Sequence, residues 1–388
     1  MNREYVMSSD MLGLVRTLAI NPLHPGECVD ERVQFSIGSP DDSGGGPEIE
    51  DDQLGVLVSP QGLAFDDEHG RLFVVDGDAR SVVVFSADDG SFVSRIGRCA
   101  PNGERRKFKW PAGVAVERER LMVVDTNRHL VHVASLAGGS CLCEFGAEGS
   151  GPLEFQFPHD VCVDGRNRRI VISDTYNHRV QVVSSVDYSF LFEIGREGEG
   201  AGEFRFPRGL AIDHALQRLV VADSGNHRLE VLSLLDGSFL FEIGRETTYE
   251  HDDGALVQQR ASKCQSPYGV CIDNHGRLIV AEYYARRLQA FTCDGEHIGS
   301  FPCPGFPTGV SFDKRRGVIA FSASAQVHVI AANQWLPHTF SWRPERHRYA
   351  PDDIRTAVWI MTMVRTLTED SLLSVLPTEM LFEVYKHL

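Results

Sequence analysis

The sequence predicts an all-β fold, a six-bladed propeller closed by an N-terminal strand, with a small α-helical segment at its C-terminus. Three observations carry that expectation. A strand reading basic, apolar, then Asp recurs at Arg71–Asp76, Arg120–Asp125, Arg169–Asp174 and Arg218–Asp223, its aspartates at 76, 125, 174 and 223 spaced by 49 residues each time. Six prolines, Pro60, Pro111, Pro158, Pro207, Pro267 and Pro307, open alternating apolar runs of the same kind. Glycine stands at 36 of 388 residues, roughly 9% against about 7% in ordinary proteins, which suits many tight turns between short strands. Four short strands per unit make a small antiparallel sheet that cannot bury both faces alone. Radial stacking of six such sheets is the solution that can.

The elements follow in order. Residues 1–30 form a tail without a secretory signature. Val33–Gly38 is an orphan copy of the strand that ends each complete unit, so it is expected to become the outer strand of the sixth blade beside Gln326–Ala331, in preference to residues 338–342. The propeller then spans 31–332. Its fifth unit is stretched by an insertion at 246–263 and carries Glu282 where the others carry Asp. Residues 333–350, rich in Trp, Pro, His and Arg, read as a connector. From 351 to 388 the spacing of Ile354, Ala357, Val358, Met361 and Val364 predicts an amphipathic helix, and a second helix follows Leu376-Pro377.

Composition narrows the function classes. Hydrophobic residues at 42% and charged residues at 24% fit a globular chain. The net charge is −16, and nine acids against Arg32 alone lie between Glu27 and Asp52, so a uniformly polyanion-binding surface is not expected, although a local basic face is allowed. Nine cysteines without any Cys-x-x-Cys argue against a disulfide framework or a zinc module such as a RING. No stretch approaches 18 apolar residues, so no membrane partner is expected and a cytoplasmic or nuclear location is the default.

The pattern Pro-x-Gly-apolar-Ala-apolar-Asp, then apolar-Val-Ala-Asp-x-x-Asn-His-Arg, then Phe-apolar-apolar-x-apolar-Gly resembles the NHL repeat. The match is best at 157–195 and 206–244, with Asp174-Thr175-Tyr176-Asn177-His178-Arg179 and Asp223-Ser224-Gly225-Asn226-His227-Arg228. The resemblance implies a recognition platform: some members bind RNA, many accompany ubiquitin-ligase modules, and a few related propellers are metal-dependent lyases. Residues 376–388 resemble the opening helix of an F-box. That implies contact with a cullin-type adaptor through Leu376, Pro377, Leu381, Val384 and Leu388, while the further F-box helices have no counterpart after Leu388. An amphipathic helix that packs on the propeller or on a partner is the alternative.

In an up-and-down blade with strands a to d counted from the axis, the b–c turns and d–a connections emerge at one end, here termed the loop end. Its candidate partner-binding residues are Arg105, Lys107, Lys109, Arg128, His159, Tyr176, His178, Arg179, Arg208, His227, Arg228, Tyr268 and Arg286. The recurring Asp and Asn of the b–c turns, such as Asp174 and Asn177, are expected to brace those turns through side-chain to backbone bonds. The position after each opening proline reads Gln61, Ala112, His159, Arg208, Tyr268 and Thr308, and the next is Gly except at Asp160. One histidine among those six positions cannot supply the three or more ligands of a catalytic zinc, so neither a metal nor a cofactor is expected and no catalytic constellation is found. The expected function is therefore a non-catalytic scaffold presenting a protein substrate to ubiquitin-ligase machinery. The alternative is single-stranded RNA binding, with Arg106 joining the cations above and Tyr176 or Tyr268 stacking on a base.

Overall fold

The computed structural model describes residues 33–38, 55–97, 107–245, 248–250, 256–258 and 263–336. The expectations for the tail 1–30, Arg105, Arg106, the connector beyond Leu336, the strand candidate 338–342 and the helical segment 351–388 lie outside the described residues.

Six four-stranded antiparallel sheets form, each in the order a-b-c-d. Blade 1 comprises Pro60–Asp66, Arg71–Asp76, Ser81–Ser86 and Phe92–Ile96. Blade 2 comprises Pro111–Glu117, Arg120–Asp125, Leu130–Ser135 and Cys141–Phe145. Blade 3 comprises Val161–Asp164, Arg169–Asp174, Arg179–Ser184 and Phe190–Ile194. Blade 4 comprises Pro207–Asp213, Arg218–Asp223, Arg228–Ser233 and Phe239–Ile243. Blade 5 comprises Pro267–Ile272, Leu278–Glu282, Arg287–Phe291 and His297–Pro302.

Blade 6 takes Pro307–Asp313, Val318–Ala323 and Gln326–Ala331 from the end of the propeller and Val33–Gly38 from its beginning. The expected latch is present in antiparallel register, Val33 opposite Ile330 and Gly38 opposite Gln326. Both ends of the ring therefore share one sheet, and no strand of blade 6 is left to open the circle.

Because every sheet has an apolar residue on both faces of its middle strands, the core is divided among the gaps between blades. One cluster joins Val75 and Val84 of blade 1 to Val114 and Leu121 of blade 2. Equivalent clusters follow between each neighbouring pair, and the last joins Val318, Ala320 and Val327 of blade 6 to Leu63, Val74 and Phe85 of blade 1. At the axis, glycines after the opening prolines allow the inner strands to meet: a Cβ on Gly113 would strike the backbone of His159 and Asp160, and one on Gly309 that of Gln61.

The insertion forms a small hairpin, Thr248–Glu250 paired with Leu256–Gln258. After the last strand a short helix, Ala332–Trp335, and Leu336, 1% exposed, close over the cluster between blades 5 and 6, so packing runs on through residue 336. Among the described residues no helix is long and apolar enough to cross a membrane. Six described cysteines are free thiols and Cys141 is disulfide-bonded.

Candidate functional site

The loop end is held by a repeated set of bonds, and these claim many of the residues that the sequence offers for recognition. The aspartate that closes strand b accepts backbone N–H groups from the connection that precedes its blade: Asp76 from Val58 and Ser59, Asp125 from Lys109 and Trp110, Asp174 from Gln156, Asp223 from Arg205. Glu282 does the same for Gln265. Burial nonetheless pushes the Asp76, Asp223 and Glu282 carboxyls above the ordinary range. The bracing role expected of these acids is what the geometry shows.

The next residue of the turn reaches sideways. Hydroxyls of Thr126, Thr175 and Ser224 donate to the carbonyls of Pro158, Pro207 and Pro267, the opening prolines of the following blades. His129, His178 and His227 then take left-handed backbone at φ 58°, 55° and 56°, and each Nδ1 accepts an N–H from the next blade, from Phe157, Phe206 and Ser266 respectively. An acceptor at Nδ1 fixes the proton on Nε2, and the ring serves as a cross-blade brace.

Two candidate contacts are corrected outright. Arg179 is 7% exposed and lies between Asp174 at 2.8 Å and Glu193 at 2.5 Å, with further donation to the carbonyls of Gly151 and Glu154. Arg228 is 1% exposed, bonded to Asp223, Glu230 and Glu242 at 2.9, 2.7 and 2.7 Å and to three carbonyls. The first residue of strand c points between blades, where a guanidinium can be buried because several acceptors surround it. Neither cation is available to a partner. His178 and His227 keep only their outer ring edges for one, and Arg128 is drawn toward Asp125 at 3.4 Å and the Lys107 carbonyl.

What remains at the surface is aromatic. Tyr176, half-exposed, lies against Phe157 and Phe206 with ring centroids 5.0 and 5.2 Å away, and Phe157 and Phe206 in turn abut His129 and His178. A second group is a column. Tyr268 stacks on Tyr283 at 4.6 Å, Tyr283 on Phe306 at 5.0 Å, and guanidinium groups lie over the two outer rings, Arg208 over Tyr268 at 4.1 Å and Arg286 over Phe306 at 4.2 Å. Tyr268 thus packs against both Arg208 and Tyr283. Tyr284, 62% exposed, stands edge-on to Tyr283.

Arg286, Lys107 and Lys109 are exposed, and so are Arg205, which pairs with Glu199, and Arg196, which pairs with Glu203. Trp110, Phe157, Phe206 and Phe306 are functional candidates that the reading by charge missed. All four immediately precede an opening proline, a periodic signal visible in the sequence.

At the axial mouth Gln61, Ala112, His159, Tyr268 and Thr308 surround a small opening of about 30 Å³. Asp160 departs from the glycine of its repeat for a reason: its Oδ1 accepts from Val161 and its Oδ2 from Leu210, which ties blade 3 to the inner strand of blade 4. Burial pushes its carboxyl up to about 7, and burial together with Arg208 holds His159 well below the ordinary histidine range. His159 meets the edge of Tyr268 at 6.0 Å. Among the described residues no three His, Cys, Asp or Glu side chains are grouped to hold a metal.

Comparison with known proteins agrees with the repeat. Residues 155–183 and 204–232 match the NHL repeat. No curated protein matches the chain significantly. Among solved structures the chain is similar to a gluconolactonase from Xanthomonas campestris, at 19% identity and TM-score 0.54 over 72% of this chain and 87% of that one. It is also similar to Kuenenia stuttgartiensis hydrazine synthase, at 13% identity and TM-score 0.50 over 74% of this chain and 98% of that one. At such identities these neighbours speak to the fold alone. The protein is a six-bladed β-propeller that carries NHL repeats at 155–183 and 204–232, an architecture suited to a binding scaffold.

Proposed function

We propose that this protein is a non-catalytic recognition scaffold whose loop end holds a protein segment bearing carboxylates beside apolar or aromatic side chains. The observation that carries the reading is the Arg208–Tyr268–Tyr283–Phe306–Arg286 column with exposed Tyr284 beside it and exposed Tyr176 on blade 3. A guanidinium stacked by its face keeps its N–H edge for a carboxylate, and rigid tyrosines supply contact area at little entropic cost. Single-stranded RNA draws less support, because Arg179 and Arg228 are internal and acidic side chains pair with the loop-end cations Arg196 and Arg205.

The F-box-like residues Leu376, Pro377, Leu381, Val384 and Leu388 extend the proposal to a ubiquitin-ligase pathway, with the propeller end choosing the substrate and the C-terminal segment meeting a cullin-type adaptor. Co-purification from the full chain tests both halves. A cullin-complex subunit is expected with the wild-type protein and lost from L381A/L388A, whereas Y176A/Y284A is expected to lose the substrate and retain that subunit. Recovery of no such subunit with soluble bait removes the ligase reading. Salt-sensitive binding of a random single-stranded RNA pool, with no protein partner, would replace the scaffold reading with the nucleic-acid one.

A further inference from the structure

The end of the propeller opposite the loop end carries a cavity that the repeat itself explains. Strands a and b finish pairing at Asp66 with Arg71, Asp164 with Arg169, Asp213 with Arg218 and Asp313 with Val318, which leaves turns 67–70, 165–168, 214–217 and 314–317 of four residues each. In blade 2 pairing finishes at Glu117 with Arg120, and the turn is Arg118-Glu119 alone. Where blades 1, 3, 4 and 6 have two more residues, a cavity of about 300 Å³ opens against blade 3.

Three guanidinium groups line it, those of Arg118, Arg120 and Arg168. Arg120 is engaged, donating to Glu117 at 2.7 Å, to the Ser185 carbonyl at 2.8 Å and to the Tyr188 hydroxyl at 3.0 Å. That ion pair answers Glu117, the one carboxylate of the lining. Arg118 and Arg168 are exposed, and their side chains have no partner among the described residues. Both also hold left-handed backbone, at φ 52° and 54°, although blades 1 and 6 place Gly70 and Gly317 at the position of Arg168. Two guanidinium groups without a carboxylate partner among the described residues therefore face one polar cavity.

We propose that this cavity binds a phosphoryl dianion, either free phosphate or a phosphomonoester. Each planar guanidinium presents paired N–H donors that match two phosphate oxygens, and two positive charges balance the dianion. The volume leaves room for a short substituent on the phosphorus.

Calorimetric titration of the full chain with inorganic phosphate and with O-phosphoserine tests the site. Saturable binding that weakens at higher salt is expected for both probes, with a loss on the order of tenfold or more in R118G/R168G. Tighter binding of phosphoserine identifies an esterified phosphate as the ligand, and equal binding identifies the free anion. R118Q/R168Q removes the charge while keeping side-chain bulk, so it decides the matter if the glycine variant is unstable. R166E serves as control, because Arg166 donates instead to the His214 carbonyl. Absence of saturable binding at low salt, or wild-type binding by a folded R118Q/R168Q, overturns the proposal.

Discussion

In blade 4 the buried Arg228 guanidinium joins Asp223, Glu230 and Glu242 within 2.9 Å, whereas in blade 2 the corresponding position is Leu130. There buried His132 lies with its two ring nitrogens 3.5 Å from Asp125 and from Glu144 but hydrogen-bonded to neither, while Arg128 approaches Asp125 from the surface. Both blades hold the same loop end, yet one uses a multiply bonded cation and the other a looser pair. The comparison teaches that the His-Arg motif of the repeat belongs to the frame. Residues that vary between the motif positions, such as Tyr176 and Tyr284, are the ones left to meet a partner.

The largest effect should come from breaking the tighter frame. R228L strands Asp223 and Glu230 in the interior and is expected to cost about 3–5 kcal/mol, read by denaturant unfolding. H132A in blade 2 should cost about 1–2 kcal/mol, and equal losses in the two blades would dissolve the distinction between them.

Asp160 sharpens the comparison along the axis, since it links blade 3 to blade 4 through its carboxylate. Its folded pKa of about 7 exceeds that of the unfolded chain, so the folded state holds the proton more tightly. That contribution is complete below the ordinary carboxylate range and is lost as the pH rises through about 7. Unfolding free energies of wild type minus D160N should therefore fall from mildly acidic to neutral pH, by at most about 4 kcal/mol. A flat difference would mean that the two N–H bonds outweigh burial.

At the axis, G309A drives a methyl group into the Gln61 backbone and should cost about 1–3 kcal/mol, whereas G138A, which faces open space, should stay within about 0.5 kcal/mol. The smallest stability effect belongs to the loop-end surface. Y176A/Y284A is expected to leave unfolding within about 0.5 kcal/mol of wild type.

Fold and site were unequally legible in the sequence. The 49-residue period and the orphan strand Val33–Gly38 led to the blade count and the latch, because a sheet's inside-outside alternation is written directly in residue order. Arg179 and Arg228 misled because a basic residue at a strand start reads as solvated, and only the fold shows carboxylates arriving from neighbouring strands. Trp110, Phe157, Phe206 and Phe306 were overlooked for a different reason. They recur before the opening prolines, but a search by charge passes over them, and the stack of Tyr283 between Tyr268 and Phe306 requires blades 5 and 6 to be side by side. The cavity at Arg118 was half visible, as the distance from opening proline to aspartate is shorter in blade 2, from Pro111 to Asp125, than from Pro158 to Asp174.

The central claim, that exposed rings rather than motif cations meet the partner, is tested most directly by quantitative affinity capture. Wild type, Y176A/Y284A and R118G/R168G would be compared at matched thermal stability. The account predicts that loop-end partners fall on the order of tenfold or more for Y176A/Y284A and remain for R118G/R168G. Recovery of the same proteins at wild-type yield by folded Y176A/Y284A would contradict it.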